Sequence, residues 1–162
     1  MNLESLLREA AQKERYRPGV AASDLAVHAL EVSLGVTLPR PYRSFLFQVG
    51  YVRWFGCEVF GITGDEQNDA YLRTKAEREH SLRFRDQVFQ FPKHATVIGE
   101  IFGGGYSLLH AVESTRAGQV SAHSPDEAYQ EVQYWRSFED YFEYLVAKPN
   151  HLRNWHRRNQ GT

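Results

Sequence analysis

Three side chains in segments with strand character belong to types that perform nucleophilic or metal chemistry: Cys57, His110 and His123. Cys57 lies between a glycine and Glu58 in a stretch with strand character, and no neighbouring base is present to activate its thiol. His110 and His123 fall on segments that read as neighbouring strands and would let the two rings approach each other. No cysteine or carboxylate stands at a supporting spacing, and two ligands seldom hold a metal. We therefore predict a buried, inert thiol, no metal, no other cofactor and no catalytic residue.

Two further motifs have spacings that do not fit the chemistry they suggest. The segment 102–107 holds three consecutive glycines but lacks the Gly-Lys-Ser/Thr ending and the following helix of a phosphate-binding loop, which predicts a hairpin turn. His151 and His156 are five residues apart, a spacing that does not place both on one face of a helix. A hydrolase that uses Cys57 or His110 remains an alternative, and replacing both residues by alanine tests it.

Acidic residues gather between Glu113 and Glu143, where seven acids and two arginines give a local net charge of −5 in a chain of net charge −1. Within this stretch, three acids lead toward two large aromatic residues; together they are Asp126, Glu127, Glu131, Tyr134 and Trp135. Acidic surfaces steer cationic partners, and aromatic side chains dominate many interfaces. The pattern predicts a partner-binding surface. The alternative is that the acids only solvate the last helix and that Tyr134 or Trp135 belongs to the core.

A second candidate surface is the segment 51–54, where Tyr51 and Trp54 follow the end of a helix. Burial in the core is the alternative for both aromatic residues.

The segment after Tyr144 contains no acids, and its bases include Arg153, Arg157 and Arg158. Contact of this basic tail with nucleic-acid phosphates is a weak alternative to simple solvation, because four bases are few and the chain as a whole is slightly acidic.

Length and composition indicate an ordinary globular protein. At 162 residues, with 42% hydrophobic and 24% charged residues, the chain can bury one core. One cysteine cannot form an internal disulfide, and no apolar run reaches the length of a membrane helix. The amphipathic segment 1–17 lacks the continuous apolar run of a signal peptide. We expect a cytoplasmic protein with no membrane partner.

Helix signals occur at three places along the chain. Ser23 or Asp24 can cap a helix that Gly35 ends, and Pro41 suits the first turn of a second helix that ends at Gly50. Ser137 can cap a third helix, whose apolar face is Phe138, Tyr141, Phe142 and Leu145 and which Pro149 closes. The polar segment 68–86 is predicted to be a solvated helix or a long excursion.

Strand signals occupy the middle of the chain. After Gly50 the pattern shifts toward strands, with a segment at 54–62 that is rich in aromatic and β-branched residues. The segments 96–102 and 106–112 read as adjacent strands joined by the glycines 103–105, and 119–123 reads as a further short strand. Helices first, strands in the middle and a helix last predict an α+β domain with an antiparallel-rich central sheet, flanked by N-terminal helices and a C-terminal helix.

The segment 31–50 resembles the signature of the SUKH superfamily. An acid, Glu31, and the pair Leu34-Gly35 precede Leu38-Pro39, and Tyr42 with Phe45-Leu46 leads into Gly50. The hairpin at 103–108 and the aromatic helix at 138–145 are similar to the family's C-terminal half, so the resemblance spans residues 23–146. Val49 stands where the family often has Asn. The segment 68–86 and the basic tail look like additions.

The resemblance implies a domain that acts by binding proteins and brings no catalytic residues. In bacteria such domains are mostly immunity proteins that neutralise a cognate toxin of a polymorphic or contact-dependent system. The family also includes intracellular scaffolds that regulate cell-wall synthesis, which is the alternative function. The expected organisation is an amphipathic helical extension at 1–22, the SUKH-like domain at 23–147 and the basic tail at 148–162.

Overall fold

The computed structural model describes residues 2–83, 90–101, 105–124 and 130–147. Five helices and seven strands follow one another in these ranges: α1 Leu3–Ala10, β1 Arg17–Pro18, α2 Asp24–Leu34, α3 Arg40–Gln48, β2 Val52–Trp54, β3 Cys57–Val59, α4 Ala70–Arg83, β4 Ala95–Ile101, β5 Gly105–His110, β6 Val120–Ser124, β7 Gln130–Trp135 and α5 Phe138–Ala147. None of the helices in the described ranges has the length and apolar composition that spanning a bilayer requires. The predicted mixed α+β class is confirmed.

The two helices predicted between Ser23 and Gly50 both form, and α2 is capped at both ends. The Ser23 hydroxyl accepts a hydrogen bond from the Ala26 N–H at 3.2 Å, and Gly35 ends α2 with a left-handed φ of 65°. The carboxylate of Glu31 then accepts the Leu38 N–H at 2.8 Å, which holds the connection between the two helices. The SUKH-like segment is therefore a helical corner, fixed by one cap at each end of α2 and one internal carboxylate.

The strand signals of segment 54–62 belong to a small hairpin. Strands β2 and β3 pair antiparallel with Trp54 opposite Cys57, so the chain reverses at Phe55 and Gly56. Gly56 has a φ of 78°, a value that favours glycine and permits the tight turn. Strand β1 adds to the outer side of β2 and completes a three-stranded antiparallel sheet.

The second sheet contains four antiparallel strands in the order β4-β5-β6-β7. The predicted strands at 96–102, 106–112 and 119–123 correspond to β4, β5 and β6. Strand β7 lies in the acidic stretch 113–143, for which the sequence predicts a partner-binding surface but no strand. The Phe60 N–H donates to the Ile98 carbonyl at 2.8 Å, which links the end of the small hairpin to β4. Strand β7 is the outer strand at the other side of the sheet.

The polar segment 68–86, predicted to be a solvated helix or a long excursion, contains helix α4. Asp69 is 3% exposed and accepts N–H groups on both sides: Thr63 and Gly64 before it, Tyr71 and Leu72 after it. One carboxylate therefore organises a loop and caps a helix. The Thr74 hydroxyl, fully buried, accepts the Val97 N–H at 2.8 Å, so α4 packs on β4.

Helix α5 closes the core as predicted. The Ser137 hydroxyl accepts the Asp140 N–H at 3.1 Å, and the apolar face of the helix is buried. Its aromatic side chains pack against those of α3, with 5.4 Å between the ring centroids of Phe45 and Phe138. Helix α1 buries Leu3, Leu6, Leu7 and Ala10 in the same core and contacts α5.

Candidate partner-binding surface

Strand β7 carries Glu131, Tyr134 and Trp135 of the predicted surface at the edge of the larger sheet, and a bulge decides which face of the sheet each lies on. Tyr134 pairs with Ser121 and Gln133 with Ala122, but the next partner of His123 is Glu131, so Val132 is an extra residue. An extra residue shifts the alternation of side chains by one. Glu131 and Tyr134, three positions apart, consequently lie on the same face of the sheet.

Arg116 joins Glu131 and Tyr134 on that face. Its guanidinium forms an ion pair with the Glu131 carboxylate, donates from Nε to Gln119 at 3.0 Å and lies 6.0 Å from the centroid of the Tyr134 ring. Two donor contacts and one ring contact restrict the arginine to one arrangement. The charge of Glu131 is thereby balanced locally. Sequence reasoning missed Arg116, because it lies in a turn with no periodic signal.

The exposed residues of β7 include one large aliphatic and one large aromatic side chain. Tyr134 is 57% exposed and Val132 is 48% exposed, although the sheet beneath them is buried. Trp135 points to the opposite face, half-buried, with its ring centroid 5.0 Å from those of both Tyr141 and Tyr144 on α5. The two adjacent aromatic residues therefore have different surroundings: Tyr134 faces solvent and Trp135 packs on the core.

Beneath Tyr134 lies a buried polar chain of His110, Ser121 and His123. The Ser121 hydroxyl is 2.9 Å from Nε2 of His110 and 3.0 Å from Nε2 of His123, and all three residues are at most 6% exposed. Burial, followed by the positive charge of Arg116, lowers the pKa of His110 to about 4, so its ring is neutral at pH 7. Ser121 and His123 are two positions apart on one strand and therefore share a face. This spacing in the sequence could have suggested that the two side chains interact.

Within the described ranges, no three His, Cys, Asp or Glu side chains converge where a metal ion could bind. The Ser121 hydroxyl is fully buried, so a substrate cannot reach it in this conformation. Cys57 is half-buried, with its Sγ 3.9 Å from the Leu145 carbonyl oxygen.

The second predicted surface, at 51–54, is divided between core and solvent. Trp54 is 3% exposed and packs edge-on against Phe142 at 5.8 Å, so the interface role is wrong for this residue in the described conformation. Tyr51 is half-buried and donates its hydroxyl to Glu58. Burial, followed by this hydrogen bond, raises the pKa of Tyr51 well above its ordinary value. Tyr51 remains a candidate contact residue.

The remaining acids of the stretch 113–143 do not form one continuous described face. Glu113 accepts hydrogen bonds from the hydroxyl and backbone N–H of Thr37, which lower its pKa. Asp140 is exposed on α5, on the side away from the buried face. Asp126 and Glu127 lie outside the described residues, as do Arg153, Arg157 and Arg158 of the basic tail. Their predicted roles stay predictions.

A scan against family models matches residues 24–142 to SUKH_6, described as SMI1-KNR4 cell-wall. The chain belongs to the SUKH superfamily. Among solved structures, a protein from Pseudomonas syringae pv. tomato is similar, with a TM-score of 0.64 and 16% identity over 90% of this chain and 100% of the other. At this identity the likeness concerns the fold alone. No curated protein matches significantly.

The residues that carry the resemblance to the SUKH superfamily hold parts of the fold together. Glu31 accepts the Leu38 N–H and also lies 3.9 Å from Nε of Arg43. Tyr42 is fully buried and donates its hydroxyl to the Phe60 carbonyl at 2.8 Å, which joins the helical corner to the small sheet. These residues specify the SUKH scaffold, and the exposed face of β7 is a separate part of it.

Proposed function

We propose that this SUKH protein is a cytoplasmic bacterial immunity protein. It binds a cognate toxin of a polymorphic or contact-dependent system and occludes the toxin's active site without catalysis. The observation that carries the proposal is the exposed face of β7: Tyr134 is 57% exposed on a buried sheet and is held beside the Arg116–Glu131 ion pair. Aromatic and arginine side chains with restricted conformations are the residues that contribute most to protein interfaces.

The arrangement supports tight binding because its members are ordered before the partner arrives. Arg116 is held by Glu131 and Gln119, and β7 is hydrogen-bonded to β6 along its length. Fixing such side chains in advance reduces the entropy lost on association. Because Arg116 balances Glu131, steering of a cationic toxin falls to the other acids of the stretch, among them Asp126, Glu127 and Asp140.

The direct test is co-expression with the toxin domain encoded by the neighbouring gene, followed by calorimetry on the purified complex. Replacing Tyr134 by alanine should weaken binding by about ten-fold or more, as expected for an exposed aromatic anchor. The matched control is Val32→Ala, which removes a side chain that is 66% exposed on α2. Equal affinities of Tyr134→Ala, Val32→Ala and the unchanged protein would refute the role of β7.

The acids are tested by charge reversal of Asp126, Glu127 and Glu131 together. Affinity for the toxin and its dependence on salt should both decrease, because long-range attraction is lost. Reversal of Glu66, an exposed acid on the loop before α4, is the control for nonspecific charge effects. A folded triple variant with unchanged affinity contradicts the electrostatic part of the proposal.

The alternative function, an intracellular scaffold of the same fold, gives a different result on co-purification. An immunity protein should recover one dominant partner encoded next to its own gene. A scaffold should recover several host proteins and should not protect cells against the neighbouring toxin. Protection of growth by the unchanged protein, lost in Tyr134→Ala but not in Val32→Ala, supports the immunity function.

A further inference from the structure

The two outer strands of the larger sheet differ in what their backbone groups contact. On β4, the Val97 N–H donates to the Thr74 hydroxyl at 2.8 Å, and the Ile98 carbonyl accepts the Phe60 N–H at 2.8 Å. On β7, no described residue outside β6 forms a hydrogen bond with the backbone. An edge of this kind is a template for pairing with another strand. Among the described elements, β7 is therefore the open edge of the larger sheet.

The alternation of hydrogen bonds along β6 identifies the open backbone groups of β7. The His110 N–H donates to the Gln119 carbonyl at 2.9 Å, so the odd-numbered residues of this stretch bond toward β5 and the even-numbered ones toward β7. The partners of the even-numbered residues on β7 are Gln130, Gln133 and Trp135. Glu131 and Tyr134 lie opposite odd-numbered residues, so their N–H and carbonyl groups point away from β6.

An antiparallel pair of two β7 strands brings these open groups together. When Glu131 of one copy lies opposite Tyr134 of the other, each open residue faces an open residue, and two hydrogen bonds form at each pairing. The two pairings are equivalent, so a two-fold axis passes between the segments 132–133 of the two copies. Residues directly opposite each other must lie on the same face of a sheet. The extra residue Val132 places Glu131 and Tyr134 on one face, which makes this register possible.

Charge and exposure also favour a second copy as the occupant. The Glu131 carboxylate is paired with Arg116, whose guanidinium lies 6.0 Å from the centroid of the Tyr134 ring. In the same register, the carboxylate of each copy lies beside the Tyr134 ring and Arg116 of the other copy. Two arginines and two glutamates thus meet around the axis without net charge. Val132, which is 48% exposed, lies next to the axis, where the other strand covers it.

We propose that two copies of this chain pair through β7 and join their four-stranded sheets into one sheet of eight strands. A contact along one six-residue strand is smaller than a standard interface of roughly 1,200–2,000 Å², so the expected Kd is about 10–100 µM. Pairing uses the edge of β7 and leaves its exposed face uncovered. The inference therefore does not depend on the proposed immunity function.

Sedimentation equilibrium of the full chain between about 1 and 500 µM measures the association. The test variants are Val132→Lys and Val132→Glu, each of which places like charges on both sides of the two-fold axis. Because Val132 is 48% exposed, either substitution should leave the monomer folded, and the Tm verifies this. The matched controls are Val32→Lys and Val32→Glu, at a position of α2 that is 66% exposed.

We expect the unchanged protein and both Val32 variants to dimerise equally, and each Val132 variant alone to dimerise about ten-fold or more weakly. An equimolar mixture of Val132→Lys and Val132→Glu should associate as strongly as the unchanged protein, because the charges beside the axis are then opposite. A monomer over the whole concentration range overturns the proposal. Equal dimerisation of the Val132 variants and the unchanged protein, or a mixture that associates no better than either variant, overturns it as well.

Amide hydrogen exchange identifies the strand that forms the contact. The amide of Trp135 bonds to β6 and should exchange slowly at every concentration. The amide of Tyr134 should exchange rapidly in the monomer and about five-fold more slowly at 500 µM, the upper end of the roughly 1–500 µM range. A dimer in which the Tyr134 amide stays rapid uses another surface. An amide that is already slow in the monomer means that the chain itself covers the edge, and either result overturns the proposal.

Discussion

Acidification should destabilise this protein through His110. The imidazole is 4% exposed, its Nε2 is engaged with the Ser121 hydroxyl, and the charge of Arg116 opposes a second positive charge beside it. These surroundings lower the pKa of His110 to about 4, against an ordinary value of 6.5. Between these two values the unfolded chain binds a proton that the folded protein does not bind. Stability therefore rises with pH across this window and is lost as the pH falls through it.

The size of the effect follows from the difference between the two pKa values. Each pKa unit corresponds to about 1.36 kcal/mol, so the full loss below pH 4 is at most about 3 kcal/mol, and the loss between pH 7 and pH 5 is about 2 kcal/mol. The variant His110→Gln removes the titration and keeps a side-chain N–H that can donate to Ser121. Between pH 7 and pH 5, the free energy of unfolding of His110→Gln should therefore fall less than that of the unchanged protein. The two decreases should differ by about 2 kcal/mol.

Urea unfolding at pH 7 and pH 5 measures this difference. His28→Gln, a substitution at an exposed position of α2, is the control and should have the pH dependence of the unchanged protein. A comparison between variants cancels the titration of the carboxylates, which all three proteins share. Equal losses for His110→Gln and His28→Gln between pH 7 and pH 5 would refute the neutral, buried state of His110.

Further predictions concern the scaffold and can be measured by chemical denaturation. Tyr42→Phe should cost about 1–3 kcal/mol, because the buried Phe60 carbonyl loses its donor; an unchanged midpoint would contradict this. Gly35→Ala should cost about 1 kcal/mol, since the φ of 65° is unfavourable for alanine but no atom lies near the new side chain. Gly61→Ala should cost more than Gly35→Ala, because its side chain would overlap the Gly50 carbonyl; equal costs would show that the backbone adapts.

Local features of the sequence predicted the helical parts of the fold. Caps and stops act within a few residues, so Ser23, Gly35 and Ser137 could be assigned from their neighbours alone. The Leu-Pro and Tyr-Phe pattern around Tyr42 also indicated the superfamily. The same kind of reasoning placed strand character in 54–62 but not the bounds of the strands, because a turn at Phe55 and Gly56 interrupts a run whose composition is uniformly favourable for strand.

The candidate surface was predicted in composition but not in arrangement. The sequence indicated that Glu131, Tyr134 and Trp135 are unusual together, and left core and interface open for both aromatic residues. The bulge at Val132 is a property of strand pairing, and it turns Glu131 to the same face as Tyr134. Trp135, the very next residue, then packs against Tyr141 and Tyr144.

The sequence by itself determined the two helices between Ser23 and Gly50, the helix after Ser137, the superfamily of the chain and the residue types available for binding, because these depend on neighbours along the chain. Only the tertiary structure decided that segment 68–86 contains a helix, that Arg116 restrains Tyr134 and that Ser121 joins two histidines. Each of these contacts joins residues from different elements of the fold. Their distances are set by strand register and packing, which no local pattern in the chain encodes.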